Sequence, residues 1–354
     1  MGRVLMKGTE AIAEAAIQAG CKFFFGYPIT PQNEIPEYMS AHLPEVGGTF
    51  VQAESEVAAS YMIMGGGATG HKVMTTSSSP GISLMSEGIS YMAGAEIPVV
   101  IVNVMRGGPG LGGILPSQAD YLQATKGGGN GDYNLIVLAP STLQEAVDLT
   151  QQAFELSQRY RNPVIILADG FMGQMMEAVE IKTYTDKNVP DNTTWALGYM
   201  GERRGKRSSL KSLYLSPEAL EDHNRDLQAK YAKIKENEVR CETYMTDDAE
   251  LVIASYGTTA RISRSVINSL REEGHKVGLI RPITLWPYPY DEFAKLPGSV
   301  KHILVTEMNC GQMVDDVKVA TGCNIPISFY GRSGGMSPSV KDIEMQCRKL
   351  LGLE

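Results

Sequence analysis

Three short stretches combine residue types able to hold a small polar ligand. The first is Gly26-Tyr27-Pro28-Ile29-Thr30-Pro31. Its two prolines fix the backbone on either side of a hydroxyl and close to an aromatic ring. A rigid turn bearing Thr30 suits a carboxylate or carbonyl group; it also suits a plain strand-to-helix connection. The second is Glu54-Ser55-Glu56. A carboxylate in the first turn of a helix is favoured by the unpaired amides there. These acids therefore fit a helix start as well as a buried acid, and two of them do not define a metal site. Spacing does not tell which one points inward. The third runs from Asn103-Val104-Met105-Arg106 into Gly107-Gly108-Pro109-Gly110-Leu111-Gly112-Gly113. A guanidinium there suits a carboxylate gripped by two parallel hydrogen bonds. A solvent-facing arginine beside a loop is the alternative. The polar turn Ser77-Ser78-Ser79-Pro80-Gly81 is a further candidate lining for the same ligand end of the sheet.

Positioning these groups requires short apolar strands between helices. The pattern predicts strands at Phe23 to Phe25, Thr49 to Gln52, Lys72 to Thr76, Pro98 to Met105, Leu135 to Ala139 and Pro163 to Leu167. Helices are expected over Met6 to Gly20, Asn33 to His42, Glu56 to Met64, Ile82 to Met92 and Leu143 to Ser157. This alternation argues for a mostly parallel sheet covered on both faces. In such sheets ligands bind outside the carboxyl ends of the strands. From 186 to 247 the strand pattern fades and charge rises, which reads as a linking region with one charged helix. Its candidate buried stripe is Leu220, Leu227, Tyr231 and Ile234, behind Ser216-Pro217. The basic cluster Arg203, Arg204, Lys206 and Arg207 reads as solvated surface, with a subunit contact as the alternative. A second, smaller α/β segment follows from 248 to 354. It has strands at Leu251 to Ala254, Lys276 to Ile280, Lys301 to Thr306 and Ile325 to Tyr330, and helices at Ala260 to Glu273 and Gln312 to Thr321. Gly257-Thr258-Thr259 reads as a turn and cap.

The 354 residues suffice for two domains, with 43% apolar and 20% charged residues and a formal net charge of −8. An acidic chain is a poor non-specific partner for nucleic acid or an anionic membrane. No run is long and apolar enough to span a bilayer, and Met1 to Gly8 does not read as a signal peptide. Cys21, Cys241, Cys310, Cys323 and Cys347 show no CxxC pair and no zinc or iron–sulfur spacing. A cytoplasmic, reducing compartment is expected. Gly65-Gly66-Gly67 is no dinucleotide fingerprint, no phosphate loop or serine-hydrolase elbow is present, and the five histidines form no metal triplet. Asp169-Gly170 lacks the context of a diphosphate–magnesium loop. Substrate handles are present without a complete cofactor site.

Taken in order and spacing, four pieces resemble the large, α-type subunit of thiamine-diphosphate-dependent 2-oxoacid:ferredoxin oxidoreductases. They are Gly26 to Pro31, Gln52-Ala53-Glu54-Ser55-Glu56, Thr76 to Gly81 and Met105-Arg106-Gly107-Gly108-Pro109. Within that family the likeness is nearest to the subunit named β in the 3-methyl-2-oxobutanoate, or branched-chain, type. The 2-oxoglutarate and pyruvate types are alternatives. The resemblance implies a pyrimidine-binding α/β domain over 1–185, a linker over 186–247 and a transketolase C-terminal-like α/β domain over 248–354.

The resemblance also implies roles. Glu56 matches the glutamate that hydrogen-bonds the cofactor's aminopyrimidine. Tyr27, Pro28 and Ile29 match the turn beside the cofactor. Thr30 and Arg106 match the threonine and arginine at the substrate carboxylate. No metal ligand is implied in this chain. Magnesium and [4Fe-4S] clusters would sit on other subunits: a diphosphate-binding-domain subunit, a small γ-type subunit and a ferredoxin-like iron–sulfur subunit. Coenzyme A would be the co-substrate and ferredoxin the acceptor. The competing possibilities are a non-catalytic scaffold of the same fold and an independent transketolase-like enzyme. The missing diphosphate–magnesium motif opposes the second.

Overall fold

The computed structural model describes residues 2–199 and 207–353. Two sheets organise them. The larger has seven strands in the spatial order Thr284–Trp286, Ile136–Leu138, Val164–Asp169, Val100–Met105, Val73–Ser77, Phe23–Gly26 and Thr49–Gln52. Its six N-terminal strands are mutually parallel. Val100–Met105 and Val164–Asp169 sit at its centre and are buried along their whole length, which explains their unbroken apolar runs. The smaller sheet has the order Ile327–Gly331, His302–Glu307, Leu251–Ala254, Val277–Pro282 and Cys241–Tyr244. All of its strands are parallel except the last. The α/β expectation with two units of unequal size holds.

The C-terminal half lends a strand to the larger sheet. Thr284–Trp286 crosses back and pairs antiparallel with Ile136–Leu138, closing the edge of the larger sheet. Cys241–Tyr244, within the stretch read as linker, forms the edge of the smaller one. A third pairing, Val4–Lys7 with Met176–Val179, was not anticipated. These strands have three or four residues, too few to display a period. The helix Val340–Leu350 was also not anticipated, although Ser339 and Asp342 form a capping box legible in the sequence.

Other differences have local causes. Ser79, Pro80 and Gly81 are not a turn but the first residues of the helix Ser79–Gly94, where a proline near the start is well tolerated. Gly257, Thr258 and Thr259 likewise open the helix Gly257–Glu272. The helix Glu56–Ala68 runs through the glycine triplet. There a β-carbon on Gly67 would stand 2.7 Å from the Pro98 carbonyl oxygen, so the absence of a side chain lets helix and strand close together. The charged helix is Pro217–Asn237, capped by Ser216. Leu227, Tyr231 and Ile234 are buried in the main core, but Leu220 is exposed, off the stripe. Lys230 Nζ meets Glu96 at 3.3 Å and Gln228 donates to the Asp132 carbonyl at 2.9 Å, fixing this helix to the first unit. Arg203, Arg204 and Lys206 lie outside the described residues; Arg207 is exposed.

Candidate active site

All the candidate groups leave the larger sheet at the carboxyl ends of four adjacent strands. Gly26, Gln52, Ser77 and Met105 end four parallel strands, and register pairs Gly26 with Gln52, Ser77 with Asn103 and Met105 with Asp169. The turn 27–31, the acids at 54–56, the helix start at 78–81 and Arg106 therefore follow side by side.

The acid pair resolves cleanly. Ser55 caps its helix by accepting from Ala58 N at 3.1 Å, and this turns Glu56 inward and leaves Glu54 outside. Glu56 is 6% exposed. Among the described residues its carboxylate has no hydrogen bond and no ion pair. It lies against Gly81, where an added β-carbon would stand 2.8 Å from Glu56 Oε1 and 2.0 Å from Ser77 Oγ. Only glycine leaves the space in which these two side chains face each other.

Arg106 is buried and forms no ion pair among the described residues. Its Nη1 donates to the Thr30 carbonyl at 2.9 Å and its Nη2 to the Leu111 carbonyl at 3.2 Å. Its backbone N–H donates to Ser79 Oγ at 3.1 Å, and Ser79 donates to Asp120 Oδ2 at 2.6 Å. Asn103 Nδ2 donates to the same oxygen at 2.8 Å. Burial pushes the Asp120 carboxyl above the usual range, against the hydrogen bonds from Ser79 and Asn103. No family signal in the sequence had drawn attention to Asp120. Buried polar atoms without a partner among the described residues include Ser77 Oγ, Ser78 Oγ, Asn103 Oδ1 and Arg106 Nε. Four such atoms close together leave room for a ligand's polar groups or for water.

The turn carries Thr30 on its exposed side. Gln32 holds it from beneath, donating from Nε2 to the Tyr27 carbonyl at 3.2 Å, while its Oε1 accepts from Thr76 Oγ1. Tyr27 and Ile29 are half-buried and Pro28 is exposed. The structure thus joins Thr30 to Arg106 directly. Glu56 touches neither and is linked to them by the 77–81 segment. Met105 is buried core, whereas Leu111 is 82% exposed. A cavity of about 420 Å³ opens beside Thr30, lined by Pro31, Ile114, Leu115, Pro116 and Phe171 among others, with Glu34 and no Lys or Arg among its described lining residues.

The pyruvate flavodoxin/ferredoxin oxidoreductase thiamine-diphosphate-binding family model matches residues 14–237, and the pyruvate:ferredoxin oxidoreductase core domain II model matches 249–343. The chain belongs to the pyruvate flavodoxin/ferredoxin oxidoreductase family. Within that family it is 47% identical over 352 residues to the ketoisovalerate oxidoreductase subunit VorB of Methanothermobacter thermautotrophicus, covering 99% of both chains. It is 38% identical to the 2-oxoglutarate synthase subunit KorA of Methanocaldococcus jannaschii, covering 88% of this chain and 90% of the relative. A solved 2-oxoglutarate:ferredoxin oxidoreductase from Magnetococcus marinus, with 2-oxoglutarate, coenzyme A and succinyl-CoA bound, superposes with a TM-score of 0.86 at 28% identity. That match spans 98% of this chain and 65% of the other. A split-gene transketolase superposes with a TM-score of 0.61 at 11% identity, a likeness of fold alone. Thiamine-enzyme pyrimidine and transketolase C-terminal-like folds therefore describe the two units. Among the described residues no helix is long and apolar enough to cross a membrane.

Proposed function

We propose that this chain is the large subunit of a ketoisovalerate (3-methyl-2-oxobutanoate):ferredoxin oxidoreductase. The reaction is oxidative decarboxylation to the acyl-coenzyme A and carbon dioxide, with reduction of ferredoxin. The carrying observation is the 47% identity to a ketoisovalerate oxidoreductase subunit over 99% of both chains. The site residues fit the cofactor: a buried, unpartnered Glu56 carboxylate and the orphaned Ser77 and Ser78 hydroxyls suit a polar heteroaromatic ring. Thiamine diphosphate, when bound, supplies the nucleophilic carbon and the electron sink that decarboxylation of a 2-oxoacid needs.

The chain's own residues bind and orient. Glu56 accepts a charge-assisted hydrogen bond from the aminopyrimidine. Tyr27, Pro28 and Ile29 form the wall beside that ring. Arg106 and Thr30 take the substrate carboxylate; the guanidinium has hydrogen-bonding capacity left because only backbone carbonyls hold it. The apolar cavity beside Thr30 suits a branched aliphatic side chain. A distal carboxylate there would meet Glu34, whose charge is already matched by Lys7 Nζ at 2.6 Å, and no Lys or Arg among the described lining residues, at a cost in desolvation. Magnesium, the diphosphate site and the [4Fe-4S] clusters belong to partners: a diphosphate-domain subunit, a small γ-type subunit and a ferredoxin-like subunit. Val57 and Tyr61, one helical turn apart beside Glu56, leave apolar surface for such a contact. The five cysteines form no disulfide among the described residues, which suits a cytoplasmic enzyme.

The test is steady-state kinetics of the reconstituted complex with 3-methyl-2-oxobutanoate, 2-oxoglutarate and pyruvate. The branched substrate is expected to have the highest kcat/KM. A preference for 2-oxoglutarate overturns the substrate assignment.

A further inference from the structure

After Arg106 the chain leaves the larger sheet and fastens itself to the smaller unit. Arg106 faces Pro116 across an isolated antiparallel bridge, and Gly107 N donates to the Leu115 carbonyl at 2.9 Å. Residues 106–116 thus form a closed loop whose exit is Pro116. Two residues later Gln118 is fully buried. Its side chain donates to the Tyr256 carbonyl at 2.9 Å and accepts from Met308 N at 3.0 Å, and it shares the Thr259 hydroxyl, 3.1 Å away, with the Tyr256 carbonyl, which lies 2.7 Å from the same hydroxyl. Its backbone donates to the Met308 carbonyl at 2.9 Å and accepts from Asn309 Nδ2 at 2.8 Å and Tyr256 Oη at 3.1 Å. Every one of these partners lies in the C-terminal unit. The neighbours act alike: Ser117 Oγ donates to the Met308 carbonyl at 3.1 Å, and Gln312 Nε2 donates to the Ala119 carbonyl at 2.7 Å.

Arg106 needs such an anchor. Among the described residues no carboxylate pairs with it. Its guanidinium is aimed by two carbonyls, and one of them, Leu111, belongs to the loop itself. A carbonyl directs a guanidinium only as well as its own backbone is held. We propose that Gln118 is a positioning residue for the substrate carboxylate, transmitting the rigidity of the C-terminal unit through the 106–116 loop to Arg106. The proposal rests on the assignment of Arg106 to that carboxylate.

The experiment compares Thr259→Val, Thr259→Ser, Gln118→Glu, Arg106→Lys and the Gln118→Glu/Arg106→Lys double variant in the reconstituted complex. Arg106→Lys keeps the charge but loses the planar grip and is expected to raise KM for every 2-oxoacid by about tenfold or more. Gln118→Glu sets a carboxylate against the Tyr256 carbonyl and is expected to raise the same KM about tenfold while moving the coenzyme A KM by less than about twofold. Thr259→Val removes the hydroxyl shared between Gln118 and the Tyr256 carbonyl and is expected to give about a threefold rise, which Thr259→Ser reverses. In the Arg106→Lys background Gln118→Glu is expected to add less than about twofold, because the two residues act as one unit. Fully additive effects, or an equal rise in the coenzyme A KM, overturn the proposal. So does an effective Arg106→Lys beside a silent Gln118→Glu and Thr259→Val. A silent Arg106→Lys overturns the Arg106 assignment along with it. If Gln118→Glu does not assemble, the Thr259 pair decides the matter alone.

Discussion

Gly81 faces Glu56 so closely that a β-carbon would stand 2.8 Å from the Glu56 carboxylate oxygen, although 25 positions separate the two in sequence. The same carbon would overlap Ser77 Oγ. Gly81→Ala therefore forces Glu56 or Ser77 to move, while a helix start accepts alanine readily. The expected result is a folded, assembled enzyme with activity reduced by about tenfold or more, since small misplacements of a catalytic group carry large rate costs. Full activity in Gly81→Ala would mean either that Ser77 alone gives way to the new β-carbon or that Glu56 lies outside the chemistry, and Glu56→Gln separates the two.

Glu56→Gln is the direct companion. The amide keeps the size of the side chain but cannot replace a charge-assisted hydrogen bond. Loss of one well-placed polar contact of this kind costs about 10²–10³ in rate. Decarboxylation by the assembled complex is expected to fall by that amount, with gel filtration and melting temperature close to wild type. Normal turnover by an intact Glu56→Gln complex removes Glu56 from the catalytic role.

Much of this site was legible in the sequence because chemistry and backbone coincide there. Pro28 and Pro31 mark a turn, Ser55 marks a helix start, and Gly107 onward marks a loop after a buried strand. What spacing could not decide was orientation. Glu54 and Glu56 differ only in which side of a capped helix start they occupy, and that emerges from the Ser55–Ala58 hydrogen bond. Asp120 and Gln118 carry no local signal at all. Asp120 meets Ser79 and Asn103 only once the first unit is folded, and the partners of Gln118 are some 190 residues away, revealed only by the docking of the two units. The strand Thr284–Trp286 was missed for a similar reason: three residues cannot announce that they will cross to another sheet.

Glu145 and Arg281 make a pH-sensitive bond between the two halves of the chain. Arg281 is buried, donates to Glu145 at 2.6 and 3.0 Å, and donates to Glu242 at 2.6 Å. Burial alone would raise the Glu145 carboxyl. The hydrogen bonds and charge of Arg281, with help from Ser141, outweigh it and hold the pKa below 4.5. The folded pKa thus lies below the unfolded one. The stabilisation is complete above pH 4.5 and is lost as pH falls through the folded value. Glu145→Gln is expected to cost about 1–3 kcal/mol near neutrality, since Glu242 still pairs with Arg281. Calorimetry across pH reads the outcome: the gap to wild type is expected to close in acid. A gap unchanged well below pH 4.5 means that Glu145 contributes through packing.

The chain by itself is expected to fold yet to bind no thiamine diphosphate tightly and to oxidise no 2-oxoacid. A strand of the C-terminal half closes the larger sheet and one core cluster runs through both halves, so folding is not expected to wait for a partner. Its candidate contacts, however, reach only the aminopyrimidine and the substrate carboxylate. A diphosphate needs a metal and oriented donors at its own end. The rest of the site is expected to come across an interface that excludes water. Val57, Tyr61 and Leu84 expose apolar surface on the two helices that begin at the site, where such an interface would form. Titration calorimetry with magnesium and thiamine diphosphate, before and after adding the diphosphate-domain and ferredoxin-like subunits, separates the cases. Tight binding and reduction of a low-potential acceptor with coenzyme A are expected only after reconstitution. Full turnover by this chain alone would overturn its assignment as one subunit of a shared site.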